Sequence, residues 1–534
     1  MFPARAFVPL YLLSLFLIGV GYIAIMPPFE GFDETAHYAS LRQIADTGTI
    51  PLFGESYLPR DVADYGGPLP YSTPDPPFDL GLTYAKFFAD PALVARFVQE
   101  YRQPQAKPPF VPSDQLNWES QHPPLYYLIL APVLHLVETT PFVSQMLILR
   151  LVSYLLALGG VYLGLKAIPG AGTVVKPTAA AIGFLVYPIM LPMFFPEFAR
   201  IGNDSLCLLL TGLAALCLTK EFASERSILW PLALGISLGL GLLTKAFFIP
   251  VTFAIGVFLL VRFWRIRDGD ARLRLRNGLV TAAVAVLIGG GWYLRDYLIY
   301  GDFSGSADAI RIVAAGGIWA NLKQHHSVYV FARSIGVMTV TWIWAGTWSF
   351  VRMSALLYAP LFVLVVITIC GLATRLEKTP LASPEWLPVL LFVCLFGGLL
   401  VHVLDMVELG WGGTGGWYLH LLMPWVAPAL GLGIEVLVQR AWSRAVFVVF
   451  LCYAALFQMV ALWAQIALFT GCAVKGDDKY YSFPGSAFCL DQAITIYDRM
   501  AIIGWPVLAI VGFGGGLFCA GCLVLRLERK AVFG

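Results

Sequence analysis

Long apolar runs recur along the whole chain and are separated by short polar segments. A helix needs about 17–25 such residues to cross roughly 30 Å of hydrocarbon. Lipid offers no hydrogen bonds to an open backbone, so we expect these runs to be helices. The pattern predicts about twelve spans, near residues 7–26, 142–166, 176–195, 204–220, 228–244, 246–263, 278–297, 354–374, 386–405, 418–438, 445–469 and 501–525.

The composition agrees with an all-α polytopic membrane protein. Of the 534 residues, 58% are hydrophobic and only 13% are charged, which is far from the balance of soluble domains. The high apolar content makes membrane lipids the expected surroundings of the chain. The formal net charge of +2 is too small to indicate a nucleic-acid partner. The first run, Phe7–Met26, lacks a small-residue cleavage pattern and is interpreted as an uncleaved span.

Basic residues predict how the helices are oriented. Short cytoplasmic loops collect Lys and Arg, and the basic clusters fall on one side if both termini are cytoplasmic. The clusters are Lys166 with Lys176, Lys220 with Arg226, Arg262–Arg276, Arg375 with Lys378, Arg440 with Arg444, and Arg526–Lys530. This orientation requires Leu125–Val137 and Val328–Phe350 to lie at the outer surface without crossing. Cys472 and Cys489 then share an outer loop, where a disulfide is a candidate.

The most polar part of the chain is the first loop, residues 27–141. Its beginning, residues 30–38, reads EGFDETAHY. Asp33 and Glu34 are expected to begin a helix, since helix N-terminal amides favour carboxylates. His37 follows one turn later, so a carboxylate and an imidazole can share a site that suits either a general base or a metal ion. A capped helix with solvated acids is the other interpretation of this pattern.

Two further motifs bring polar groups to the ends of apolar helices. Residues 118–127 read WESQHPPLYY, and the prolines hold His122 at the entrance of the next helix. It could also be a solvated histidine at a plain helix start. Arg200, Asn203 and Asp204 lie between two predicted spans, where ionisable residues usually have a function. A simple turn with an Arg–Asp pair is the alternative.

Weaker candidates lie elsewhere near the predicted outer interface. Lys245 and Arg295 are placed to contact a phosphate group, although interfacial snorkelling explains them equally well. The glycine-rich run 410–416 leads into Tyr418 and His420. This segment could be a flexible lid, a surface that binds substrate, or a glycine turn within an aromatic belt at the membrane interface. The chain has no Walker-type loop, paired CxxC motif or serine-hydrolase elbow, so a nucleotide-driven mechanism has no visible site.

The order of these motifs resembles the GT-C glycosyltransferases, which include protein O-mannosyltransferases and lipid A aminoarabinose transferases. It comprises the acid pair after the first span, the HPPLYY entrance at 122–127, the Arg-x-x-Asn-Asp island at 200–204, LLTK at 242–245 and GWYL at 416–419. The resemblance covers about the first 300 residues and the region 410–425. It implies a GT-C-like catalytic module, residues 1–300, whose first loop carries juxtamembrane helices. Residues 301–534 are then a C-terminal membrane module with outer loops 298–353, 406–417 and 470–500.

The resemblance implies an inverting transfer of a sugar from a polyprenyl-phosphate donor to an envelope glycan, lipid or protein. The reaction is expected on the periplasmic face of a bacterial inner membrane. Asp33 matches the general base, with Glu34 as the second choice. Asp204, with Arg200 and Asn203, matches the acid that orients the acceptor or holds a cation such as Mg²⁺ or Mn²⁺.

The resemblance also implies roles for residues around these acids. Asp33, His37 and Asp204 are the candidate metal ligands, and His37 and His122 are expected to contact the cation or the donor phosphate. Relatives often have Arg-Tyr-Leu after the glycine of the GWYL region, whereas this chain has tryptophan before Tyr418. His420 is the candidate replacement for the missing arginine.

Three other functions fit parts of the pattern. A transporter or flippase of polyprenyl-linked glycan also has many spans and intramembrane charges, but it predicts inverted repeats, which are not visible. A glycan polymerase or ligase would be expected to depend on a large late loop, whereas the largest loop here is the first. A non-catalytic subunit could retain a GT-C-like frame, although it does not explain the acids Asp33, Glu34 and Asp204.

Overall fold

The structure, a computed structural model, describes residues 7–69, 81–106, 108–168, 178–266, 270–305, 307–324, 328–351, 353–408, 414–439, 441–473 and 489–532. Its helices in the first part of the chain are α1 (Phe7–Ile25), α2 (Glu34–Thr47), α3 (Arg60–Ala63), α4 (Tyr84–Ala89), α5 (Pro91–Tyr101), α6 (Leu125–Val137), α7 (Phe142–Ala167), α8 (Ala179–Met190), α9 (Phe194–Phe198), α10 (Asp204–Ala223), α11 (Leu229–Leu242), α12 (Phe248–Arg265) and α13 (Ala271–Tyr300).

The second part of the chain continues with helices of the same kind. They are α14 (Ala307–Ala314), α15 (Ile318–Gln324), α16 (Val328–Ile343), α17 (Ala355–Leu376), α18 (Leu387–Glu408), α19 (Met423–Leu437), α20 (Ala441–Phe469), α21 (Ala493–Ile503) and α22 (Pro506–Val532). Short 3-10 helices cover Pro384–Trp386, Gly416–Leu422 and Leu490–Gln492. Residues 410–413 of the predicted glycine-rich run and residues 474–488 of the last outer loop lie outside the described residues.

The prediction of an all-α, multi-pass membrane protein is confirmed. Within the described ranges, ten helical segments are long and apolar enough to cross a membrane, and all ten coincide with predicted spans. The two other predicted spans, 176–195 and 228–244, form the shorter helices α8 and α11, with 12 and 14 residues. Helix α8 ends at Met190 because Pro192 cannot continue it, and α9 follows as a separate turn.

The two apolar stretches predicted not to cross are also short helices. Helix α6 has 13 residues and α16 has 16, against the roughly 20 that a span requires. The stretch 328–350 is helical only to Ile343, and residues 344–351 form a loop. That loop reaches the beginning of the first loop, as described below.

Glycines allow several helices to approach closely. A Cβ atom on Gly160 of α7 would lie 2.2 Å from the carbonyl oxygen of Leu208 in α10, so no larger residue fits there. Gly183 of α8 faces the backbone of α19 in the same way. Within lipid the hydrophobic effect does not favour the association of helices, so close packing contacts of this kind stabilise it instead.

The first loop is an ordered layer on the helix ends. Strands β1 (Tyr57–Pro59) and β2 (Pro112–Leu116) form a two-stranded antiparallel sheet, with Tyr57 opposite Leu116. Arg42 of α2 donates hydrogen bonds to Asp46 at 2.9 Å and to Asp61 at 2.8 Å. Arg42 also donates to the Pro108 carbonyl at 3.1 Å, so it connects an early and a late part of the loop to α2, the helix that begins beside Asp33.

The candidate disulfide is present. Cys472 and Cys489 are bonded, with their Cα atoms 6.3 Å apart. Arg499 of α21 donates a hydrogen bond to the carbonyl oxygen of Thr470 at 2.9 Å, which ties the same loop to α21. The prediction of this bridge is therefore confirmed.

Candidate functional site

Asp33 occupies a left-handed turn immediately before α2. Its φ and ψ angles are 54° and 13°, a conformation that Asp tolerates better than most residues. The side chain does not cap the helix; Oδ1 instead accepts a hydrogen bond from the Trp118 indole at 2.8 Å. The carboxylate is therefore directed away from its own helix, toward the end of the first loop.

The turn from Asn117 to His122 is docked on α2. Asn117 is buried, and its amide donates to Ser40 Oγ at 2.9 Å and to the Ala36 carbonyl at 3.3 Å. Its Oδ1 accepts from the backbone N–H of Glu119 at 3.0 Å. This anchoring brings Trp118, Glu119 and His122, which follow within five residues, to the helix face near Asp33.

The two predicted histidines lie together. The rings of His37 and His122 are stacked with their centroids 5.8 Å apart, and Nδ1 of His37 is 2.8 Å from the Tyr127 hydroxyl. His122 also contacts the Glu119 carboxylate. Burial, together with the positive charge of Arg200, lowers the pKa of His37 well below its ordinary value, so its imidazole is neutral.

Glu34 has a different environment from its neighbour Asp33. It is fully buried, and its two oxygens accept hydrogen bonds from Arg150 at 2.7 and 2.6 Å. A third bond comes from the backbone N–H of Ile201 at 3.0 Å. Arg150 also donates to the carbonyls of Met26 and Pro27, so it joins α7 to both ends of the turn before α2. Sequence reasoning missed Arg150, although a lone arginine within a predicted span was a usable signal.

The polar segment at residues 200–204 takes part in a network of buried charged side chains. Arg200 donates to Glu197 and to Asp204, each at 2.8 Å, and to the Phe32 carbonyl at 2.8 Å. Lys245 donates to both oxygens of Asp204 at 2.9 Å. Arg200 therefore links this network to the residue before Asp33.

The surroundings of Lys245 combine aromatic rings with an unused polar atom. Its ammonium lies 4.6 Å from the ring centroid of Tyr418 and 4.8 Å from that of Phe247, both cation–π distances. Asn203 donates to the Thr244 carbonyl at 3.4 Å, while its buried Oδ1 has no hydrogen-bond partner among the described residues. An acceptor atom is therefore available at the head of α10.

An aromatic wall, formed by Phe32, Trp348, Phe350 and Trp417, stands next to Asp33. The rings of Phe32 and Trp417 are stacked at 4.0 Å and 8°. Trp348 and Phe350 pack against Phe32 with centroids 5.5 and 5.6 Å away. The wall thus combines the first loop with two segments of the second half of the chain.

Glu30 holds this wall in place, a role that sequence reasoning did not assign. Its buried carboxylate accepts hydrogen bonds from the Tyr84 hydroxyl at 2.7 Å, from Thr347 at 2.6 Å and from the Ser349 hydroxyl. Burial raises the pKa of Glu30. The acid thereby fixes the loop after α16 to α4 and to the first loop.

Two predicted substrate-binding residues have other neighbours. Arg295 pairs with Asp296 at 2.6 Å and lies over the Trp292 ring at the end of α13. His420 is fully buried, and its two ring nitrogens lie 3.0 Å from the Tyr187 hydroxyl and 3.0 Å from the Trp342 carbonyl. Their roles toward a substrate stay predictions.

The candidate metal ligands do not form a joint binding site. No three His, Cys, Asp or Glu side chains come together as a metal-binding group anywhere in the described ranges. Both oxygens of Asp204 are paired with Lys245, and one also with Arg200. A cation at Asp33, His37 and Asp204 therefore stays a prediction.

The electrostatic surroundings of Asp33 suit a proton acceptor. Burial, followed by the nearby negative charge of Glu119, raises its pKa to about 7. The Trp118 hydrogen bond and the charges of Arg200 and Lys245 act in the opposite direction. A carboxylate with a raised pKa is a stronger proton acceptor than an ordinary aspartate, whose pKa is about 4.

Part of the chain matches a known protein-family model. Residues 121–288 match the family model described as dolichyl-phosphate-mannose-protein mannosyltransferase, a GT-C family. The matched region contains His122, Arg200, Asn203, Asp204 and Lys245, and the predicted resemblance to GT-C enzymes is confirmed there. No curated protein sequence matches the chain.

Two solved structures are similar to the chain. One is ArnT from Cupriavidus metallidurans bound to undecaprenyl phosphate, with a TM-score of 0.49 and 12% identity. The other is the apo state of the same ArnT, with a TM-score of 0.45 and 14% identity. Each match covers 99% of this chain and 78% of the ArnT chain.

Proposed function

We propose that this membrane protein is a glycosyltransferase that moves a sugar from a polyprenyl-phosphate donor to an acceptor at the membrane surface. The observation that carries the proposal is the cluster in which Asp33, hydrogen-bonded to the Trp118 indole, lies near the buried cations Arg200 and Lys245. The family match over residues 121–288 supports it, because that match includes both cations. A polyprenyl donor keeps its tail in lipid and its phosphate at the surface, where this cluster lies at the ends of apolar helices.

Each residue has a distinct part in the proposed reaction. Asp33 removes the proton from an acceptor hydroxyl as its oxygen bonds to the anomeric carbon of the sugar. The bond from that carbon to the donor phosphate breaks on the opposite face, and polyprenyl phosphate leaves with the electron pair. The configuration at the anomeric carbon is therefore inverted.

The cations balance the negative charge of the leaving phosphate. Lys245 and Arg200 are held by Asp204 and Glu197, so they need no reorganisation during the reaction. We assign contacts with the donor or the acceptor to Asn203, whose Oδ1 has no hydrogen-bond partner within the described ranges, and to Tyr418, beside Lys245. Both carboxylate oxygens of Glu34 accept hydrogen bonds from Arg150. We therefore assign Glu34 to stabilising the turn that carries Asp33, and not to proton transfer.

The location follows from the same reasoning. We place the protein in a bacterial inner membrane, with both termini cytoplasmic and the cluster on the periplasmic side. The positive-inside pattern of the basic clusters supports this orientation. The acceptor is an envelope glycan, lipid or protein.

A transfer assay tests the function. Purified protein in nanodiscs is given a panel of radiolabelled polyprenyl-phosphate hexoses and pentoses with envelope extract, which is then separated into lipid, glycan and protein. We expect a labelled product in one of these three fractions, and only in reactions that contain the protein. Parallel reactions with EDTA, and with Mg²⁺ or Mn²⁺ restored, test the predicted cation. In a parallel experiment with the protein in sealed lipid vesicles, movement of labelled donor across the membrane without any product would support the transporter instead.

The transfer rate is expected to rise with pH and to reach half its maximum near pH 7. Asp33 must be deprotonated to accept the acceptor proton, and its pKa of about 7 lies well above the ordinary value, so activity is lost as pH falls through that region. Initial rates with saturating donor, measured from pH 5 to 9, give the midpoint. Thermal unfolding at each pH separates titration of the site from loss of fold. A midpoint at or below pH 5 would contradict the role of Asp33.

A further inference from the structure

The proposed reaction gives no role to the aromatic wall beside Asp33. Within the wall, Phe32 and Trp417 are buried, whereas Trp348 and Phe350 are only partly buried and pack against them. These two rings are therefore supported from one side by the protein and keep part of their surface open. The face of an aromatic ring is electronegative, so it packs well against C–H groups.

The wall is joined at two points to the cations that balance the donor phosphate. Phe32 contributes its ring to the wall, while its carbonyl oxygen accepts a hydrogen bond from Arg200 at 2.8 Å. Trp417 is followed by Tyr418, whose ring centroid lies 4.6 Å from the ammonium of Lys245. In a polyprenyl-phosphate donor the sugar is attached directly to the phosphate. A phosphate near these cations would therefore bring its sugar close to the wall.

The loop that carries Trp348 and Phe350 is fixed by Glu30. The backbone N–H of Trp348 donates to the Glu30 carbonyl oxygen at 3.0 Å. On either side of Trp348, the hydroxyls of Thr347 and Ser349 donate to the Glu30 carboxylate. Three consecutive residues are thus bound to one acid, which sets the position of the Trp348 ring.

Two features of the wall are unfavourable in the free protein and are typical of a binding site. Phe350 has a φ angle of 46°, in the left-handed region that a bulky residue rarely adopts. Strain of this kind is concentrated at ligand-binding and catalytic sites. The indole Nε1 of Trp417 is buried and has no hydrogen-bond partner among the described residues. A polar ligand would supply the acceptor that this N–H lacks.

We propose that Trp348 and Phe350 bind the sugar of the polyprenyl-phosphate donor by stacking against its C–H face, with Glu30 as the positioning residue that fixes both rings. The inference rests on the proposed function and identifies the part of the donor that the wall recognises. A pyranose ring suits this surface, because several of its C–H groups point to one face. The wall contributes to donor affinity, while Asp33 keeps its part in proton transfer.

The test compares the binding of two radiolabelled lipids to the protein in nanodiscs, without acceptor. One is each polyprenyl-phosphate hexose or pentose of the transfer panel, and the other is polyprenyl phosphate, which has no sugar. Trp348→Leu is expected to weaken binding of the sugar-bearing lipid about 3–10-fold, the contribution of one aromatic contact, and to leave binding of polyprenyl phosphate unchanged. Trp348→Phe keeps a ring and should stay close to wild type. Trp264→Leu, which removes an exposed tryptophan of α12, is the control and should change neither affinity.

Glu30→Gln tests the positioning role. The glutamine amide nitrogen cannot accept the hydrogen bonds that one carboxylate oxygen accepts, so part of the loop is released. We expect the same selective loss of affinity for the sugar-bearing lipid, with little change in kcat at saturating donor. A merely structural defect would instead weaken the binding of both lipids or lower the folded fraction, which thermal unfolding measures.

Equal binding of the sugar-bearing lipid by wild type and by folded Trp348→Leu overturns the proposal, and so does a loss that is the same for both lipids. Selective loss in Trp348→Leu without any transfer by wild type would support sugar recognition while contradicting the proposed transfer. Transfer by wild type with unchanged binding in Trp348→Leu would do the reverse. Failure of wild type to bind either lipid would contradict both.

Discussion

Replacing Asp33 with asparagine is expected to reduce the transfer rate by about 10²–10⁴-fold, the contribution of a general base. Asparagine has the same size, and its amide oxygen can still accept the Trp118 hydrogen bond, so the fold should be retained. It cannot take a proton from the acceptor. Initial rates and donor KM, measured in nanodiscs with matched thermal unfolding curves, give the result. The loss should appear in kcat and much less in KM.

The control for this variant is Asp90→Asn. Asp90 is exposed and caps α5 by accepting from the Ala92 N–H at 2.9 Å, a role that asparagine fills equally well. It should behave as wild type. Full activity in folded Asp33→Asn would remove Asp33 as the base, and Asp204 or Glu34 would then have to be tested in its place.

Replacing Arg150 with methionine is expected to destabilise the protein by about 3–5 kcal/mol, the usual result of removing one partner of a buried ion pair. Glu34 would keep its charge and only one of its three bonds from other segments, the Ile201 N–H. The carbonyls of Met26 and Pro27 would also lose a donor. Thermal unfolding in detergent, followed by tryptophan fluorescence, measures the effect.

The double variant Glu34→Gln with Arg150→Met separates charge from packing. Removing both charges should recover part of the stability lost in Arg150→Met, because no unpaired buried carboxylate remains. Glu34→Gln alone should lower activity only as far as it lowers the folded fraction. Equal stability of Arg150→Met and wild type would show that Glu34 does not depend on this pair.

Much of the architecture could be predicted because it depends on local pattern. The length of each apolar run predicted the ten long helices, whereas the non-crossing of α6 and α16, indicated by the basic clusters, stays a prediction. The bond between Cys472 and Cys489 followed from their shared outer loop. The helix after Asp33 followed from the acids at its start, whose preference for that place is a property of any helix.

The internal partners of the site could not be predicted, because they come from residues far apart in the chain. Glu34 and Arg150 are 116 positions apart, and nothing in either segment indicates the other. Asp33 and Glu34 look equivalent in the sequence, yet one contacts an indole N–H and the other an arginine. The predicted span 176–195 contains the break between α8 and α9 at Pro192, which composition alone does not show.

The hydrogen bonds of Glu30 have a consequence for how the protein is made. Ser349 follows Glu30 by 319 positions, which ribosomes translate in roughly 16–64 s at about 5–20 residues per second. Throughout that interval the nascent chain already presents Glu30, while two of its three hydroxyl partners have not been synthesised. The aromatic wall beside Asp33 therefore closes late in membrane insertion, after most of the helices have entered the bilayer.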